Sequence, residues 1–199
     1  MQPSTSPIRI ARFATLPVLG AVALAGALLF AALPVRAEVE PVDCGSIDIG
    51  VDGQRAFEDC YHGSDRVHST EGGGRLFKVT VTIGQGADMR ARAIMRVVRV
   101  VAGQYVVMQD TSVEEFAGYY LLDGSRDWRD AGTHGRFELM TVEAKFEDLD
   151  HPLPCYVFLR QWGYGVGSGF KNQLGGFLCP VVGGLERGTI EDFLDTLHY

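Results

Sequence analysis

The segment "CYVFLRQWGYGVGSGFKNQLGGFLCP", Cys155–Pro180, carries glycine at positions 163, 165, 167 and 169. Glycines at close spacing can bring backbone N–H groups onto a phosphate, but each such motif fixes its neighbours. A dinucleotide fingerprint needs G-x-G-x-x-G opening a helix. Five residues beyond Gly163 stands Ser168, and five beyond Gly165 stands Phe170. A P-loop needs glycine directly before Lys-Ser/Thr, whereas Lys171 lies between Phe170 and Asn172. The nucleophile elbow G-x-S-x-G places glycine two residues away on each side of its serine. Ser168 has Val166 and Phe170 there. The segment therefore reads as a hairpin with a glycine tip, and Trp162 and Tyr164 are its candidate contact residues, since aromatics on loops often meet partners.

Other residue types could do chemistry. Cys60, His62, His68 and Glu71 are metal-ligand types within "CYHGSDRVHSTE". Their spacing fits no zinc pattern, and an oxidised Cys60 would not ligate. A metal held by His62 and His68 is thus only an alternative, and no cofactor is expected. Arg92, Arg96 and Arg99 could form a stripe for an anionic ligand, because guanidinium forks match carboxylates and phosphates. A solvated face is the competing reading. The acid pairs Glu114–Glu115 and Glu147–Asp148 are of a kind that glycosidases use, but adjacent acids are also ordinary surface residues.

Around these candidates the chain reads as an exported protein. Arg9 and Arg12 precede an uncharged run, Phe13–Val35, and Val35 and Ala37 occupy small-residue cleavage positions. That pattern predicts a signal peptide over residues 1–37, cut before Glu38; an uncleaved anchor is the alternative, since an apolar run this long can span a bilayer. No stable membrane span is expected after its removal. The cut would remove Arg9, Arg12 and Arg36, leaving 15 of the 18 basic residues against 25 acidic ones, a net charge near −10. Such a chain repels nucleic acid.

Residues 38–199 suit a single domain. Its four cysteines, Cys44, Cys60, Cys155 and Cys179, are an even set, as expected in an oxidising compartment. Proximity in sequence favours Cys44–Cys60 and Cys155–Cys179.

The elements follow from periodicity. "RLFKVTVTI" alternates and predicts a strand ended by Gly84 and Gly86. Residues 87–101 match an amphipathic helix carrying the three arginines on one side, while their β-branched valines and the Ala102–Gly103 turn signal leave a hairpin strand as the alternative. Gln104–Asp110 and Tyr119–Leu122 read as strands, Asp123–Gly135 as a polar loop, and "RFELMTVEAKFED" as a strand with one wet face. The Cys155 strand is apolar on both faces and predicts a central position. "TIEDFLDTLHY" is a helix, with Thr189 and Asp192 spaced as a capping box.

The expected fold is α+β: an antiparallel sheet packed against the C-terminal helix and one further helix, stapled by two disulfides. The expected function is that of a periplasmic or secreted non-catalytic protein binding a protein or envelope partner. An exported hydrolase, with catalytic residues scattered in sequence, is the alternative.

Overall fold

A computed structural model describes residues 38–51, 57–69, 75–88, 92–103, 108–122, 125–146, 149–164 and 169–199. In chain order the elements are β1 (Glu38–Val42), β2 (Gly50–Val51), β3 (Asp59–Ser69), β4 (Arg75–Asp88), β5 (Ala93–Ala102), α1 (Val113–Tyr120), β6 (Arg126–His134), β7 (Phe137–Ala144), β8 (Leu153–Tyr164), β9 (Phe170–Pro180), α2 (Arg187–Thr196) and β10 (Leu197–His198). Eight strands form one antiparallel sheet in the order β1-β3-β4-β5-β9-β8-β7-β6, and β10 pairs separately with β2. The sheet is thus two antiparallel halves joined where β5 meets β9. All described residues lie in one compact unit. The sheet dominates, so the balance lies further toward β than the α+β expectation.

Each face of the sheet has a buried core, and this explains how the inner strands read in sequence. On one face Val98, Val100, Val142, Val157, Leu159 and Phe177 pack with Val113, Phe116 and Ala117 of α1. On the other, Met95, Val97, Leu139, Phe158, Leu174 and Leu178 pack with Ile190, Phe193 and Leu194 of α2. These are called the α1 face and the α2 face below. A strand covered on both sides loses its apolar–polar alternation.

That is why the helix expected over residues 87–101 is not formed. Asp88 ends β4, Arg92 makes the turn at φ 47°, and residues 93–102 are β5, an inner strand. Its apolar run satisfied a helical period only because both strand faces are apolar. The β-branched Val97, Val98, Val100 and Val101 favour the extended form. The further helix lies instead at α1, where Tyr119–Leu122 had read as a strand. Its start carries a full capping box: Glu115 N–H donates to Ser112 Oγ, and Ser112 N–H to the Glu115 carboxylate, each at 3.1 Å.

Further boundaries differ. β4 runs through Gly84 and Gly86. At Gly84 a side chain would collide with the Phe57 ring, which lies against the strand. The expected loop over 123–135 contains β6, an edge strand whose exposed, charged residues give no apolar period. In β7 the wet positions are Glu138 and Glu143, while Phe137 and Leu139 are buried toward α2. The C-terminal helix starts at Arg187 with Glu186 as N-cap, so Thr189 lies inside it and caps nothing. The strand expected over 104–110 and the tip residues 165–168 fall mainly outside the described residues.

Cys44, in a short 3-10 turn, joins Cys60 on β3, and Cys155 on β8 joins Cys179 on β9. Cys155 and Cys179 are fully buried in the α1-face core, together with Val157 and Phe177. β8 is an inner strand between β7 and β9, as its two apolar faces require.

Gly175 and Gly176 leave a hole on each face of β9. A Cβ at Gly175 would overlap the Phe116 ring of α1; one at Gly176 would overlap the Phe158 ring and the Arg96 carbonyl oxygen. Gly175→Ala should therefore lift α1 off the sheet and destabilise the protein by about 1–3 kcal/mol. Urea denaturation measures this. A midpoint equal to that of the parent protein would show that Phe116 moves aside freely.

Candidate functional site

Neither helix covers the whole sheet. On the α2 face the row Phe158, Val97, Cys60 lies within the core. Two residues further along each strand the register aligns His62, Thr82, Arg99, Leu174 and Arg160. Two residues further again it aligns Ser64, Thr80, Val101, Asn172 and Trp162. All five of this last row are at least partly exposed. They span four strand spacings, about 19 Å. This open half-face is the candidate functional site.

Its Trp162 end is the most elaborated. The Arg160 guanidinium lies 5.0 Å from the centroid of the Trp162 ring, 5.3 Å from that of Tyr199 and 6.0 Å from that of Phe137. It also donates a hydrogen bond to the Tyr199 hydroxyl. Trp162 and Tyr199 are in tilted ring contact at 5.3 Å, and Phe137 meets Tyr199 edge-on at 6.3 Å. Cation–π attraction to several ring faces holds the guanidinium in place. Burial lowers the Arg160 pKa, and the like charge of Arg136 lowers it further.

β10 carries Tyr199 to this cluster. Its pairing with β2, Leu197 opposite Val51, anchors the end of α2. A second tie is polar: His134 Nε2 lies 2.8 Å from Asp195, Arg187 donates to Glu191 at 2.6 Å, and Arg187 also donates to the Ala131 and Thr133 carbonyls. On the other face, buried Gln173 donates to Gln161 at 2.8 Å, and Gln161 donates to Asp110 at 2.8 Å. That chain of amides fixes the approach to α1.

Of the residues singled out in sequence, Trp162 lies in the open row, and Arg99 and His62 lie in the row beside it, where Thr82 and Leu174 are buried. Arg99 pairs with Asp48, and its Nε is buried with no partner. His62 Nδ1 lies 3.1 Å from Thr82 Oγ1. The arginine stripe is dismantled, because strand alternation sends Arg96 to the opposite face. There its Nε and Nη2 donate to Gln85 Oε1 at 3.0 and 2.7 Å, and its Nη1 donates to the Leu121 carbonyl at 3.3 Å. That carbonyl ends α1, where a cation meets the negative end of the helix dipole. Burial lowers the Arg96 pKa, and Tyr61 partly offsets the effect. Arg92 lines a separate shallow cleft of about 280 Å³ with Tyr156, Leu178, Glu186 and Thr189.

Tyr164 closes the β8 ladder opposite Phe170, and His68 pairs through its backbone with Leu76; both side chains lie outside the description, as does Glu71. No three His, Cys, Asp or Glu side chains among the described residues gather as a metal site. Comparison with protein families, curated proteins and solved structures finds no match for this chain. Among the described residues, no helix is long and apolar enough to cross a membrane.

Sequence reasoning missed Arg160, Asn172 and Tyr199. Arg160 was findable from Trp162, since residues two apart share a strand face. Nothing local marks Tyr199, which arrives through the β10–β2 pairing.

Proposed function

We propose that this is an exported, non-catalytic protein, periplasmic or secreted, that binds a protein or envelope partner through the open half of the α2 face. The observation that carries this reading is Trp162. A large aromatic side chain, held by Arg160 and Tyr199, stands partly exposed at the end of a row that neither helix covers. Aromatic and arginine side chains dominate contact energy at binding surfaces. The two disulfides accord with an oxidising compartment, and residues 1–37 are taken as the cleaved signal.

Trp162→Ala is expected to abolish capture of the partner from envelope extracts while lowering the melting temperature only slightly. Affinity pull-down and thermal melting read the two effects. Retained capture would remove Trp162 from the contact surface, and a collapse in melting would make it a core residue.

The hydrolase alternative has one supporting observation, the His134–Asp195 pair. Both residues bind α2 to the β6–β7 hairpin, and Asp195 is 70% exposed. Hydrolytic turnover lost in His134→Gln with the fold intact would favour that reading.

A further inference from the structure

Arg136 is an exposed residue directly before Phe137, whose ring centroid lies 6.0 Å from the Arg160 guanidinium, on a protein of net negative charge. The ion pairs among the described residues engage Arg99, His134 and Arg187, and none engages Arg136 or Arg160. One hydrogen bond joins Arg160 to Tyr199, and no other nitrogen of its fork is buried without a partner. The remaining donors of this partly exposed side chain therefore keep some accessible surface, at which an anion can take them in a bidentate fork.

The Tyr199 ring indicates the shape of what fits. It contacts the Trp162 ring while its oxygen accepts from Arg160. A ligand made of rings bearing oxygen acceptors can repeat that arrangement on the free part of Trp162. Beyond Trp162 the row offers the Asn172 amide and the Thr80 and Ser64 hydroxyls. These suit a polyhydroxylated chain. A protein partner is less well served. β8 and β9 are inner strands with no free edge for strand addition.

We propose that Arg160, Arg136 and Trp162 form a subsite for a sugar unit carrying a carboxylate or phosphate, so that the partner is an acidic glycan. Arg160 and Arg136 take the anionic group, Trp162 stacks on the ring, and Asn172 bonds the adjoining hydroxyls. This rests on the binding reading given above and names the partner class.

Calorimetric titration of the full, disulfide-bonded protein tests it. The probes are oligogalacturonate for carboxylate and glucose 6-phosphate for phosphate, with maltohexaose and sodium acetate as neutral and simple-anion controls. At least one acidic sugar should bind about tenfold or more tighter than both controls, a difference set by the charged hydrogen bonds. Its affinity should fall with added salt. Arg160→Gln should remove the preference over maltohexaose. Arg136→Gln, an exposed change that leaves the melting temperature unaltered, should reduce it.

The subsite is overturned if neither acidic sugar binds at millimolar concentration, if maltohexaose or acetate binds equally well, or if Arg136→Gln changes nothing. Partner capture that depends on Trp162, without acidic-sugar binding, would overturn the glycan while leaving the binding reading standing. A protein partner is the expected finding in that case.

Discussion

Phe158→Ala is expected to destabilise the protein by about 3–5 kcal/mol, the range for removing a buried aromatic side chain. Phe158 is fully buried and central to the α2 face. It meets Phe137 edge-on at 5.6 Å and Phe193 of α2 at 5.9 Å, and it fills the space above Gly176. Its loss should loosen α2 and, through Phe137, the support of Tyr199. Urea denaturation with tryptophan fluorescence measures the change, and a loss below about 1 kcal/mol would show that the core collapses to fill the cavity. Coupling to Gly176 is also expected. Gly176→Ala should cost less in the Phe158→Ala background, because one of its two clashes is gone. The other, with the Arg96 carbonyl, remains.

Replacing both Cys155 and Cys179 by alanine should cost about 3 kcal/mol, the chain-entropy value for a loop of this length. The bond joins inner strands within the core, so the native fold itself should survive the change with its sheet intact. Cys44 is half-buried, whereas Cys155 and Cys179 have no exposed surface. Mild reductant without denaturant should therefore open Cys44–Cys60 first. Mass mapping of alkylated thiols reads the order, and simultaneous opening would mean that reduction proceeds through global unfolding.

The hairpin of β8 and β9 was legible because its signals are local. Cys155 and Cys179 bracket it, glycines mark its tip, and apolar residues on both faces place it centrally. The C-terminal helix was legible from the spacing of Ile190, Phe193 and Leu194. β5 was not, since a strand buried on both faces contains no period-2 signal and its apolar run fits a helix as well. α1 carried a readable signal, Ser112 followed by Glu115, that its tyrosines obscured. β6 is an edge strand held by backbone pairing, so its side chains reveal little.

The candidate site was partly legible for a related reason. Trp162 stood out by type, and its position on β8 brought Arg160 with it. Asn172 faces Trp162 only through the β8–β9 register, and Thr80 joins the row two strands beyond β9, across β5. The three arginines were grouped by a helical period, and the real alternation of two separates Arg96 from Arg99.

The seam between β5 and β9 joins residues 93–101 to residues 172–180, while every other pairing in the large sheet is closer in sequence. Each half also carries its own disulfide, Cys44–Cys60 in the first and Cys155–Cys179 in the second. The order of folding follows: each half can pair and oxidise alone, and the long loop between β5 and β9 closes last. Until it does, two apolar strands stand as open edges, able to pair with another molecule. At high concentration, refolding should yield exchanged dimers in which β5 of one copy is paired with β9 of a second.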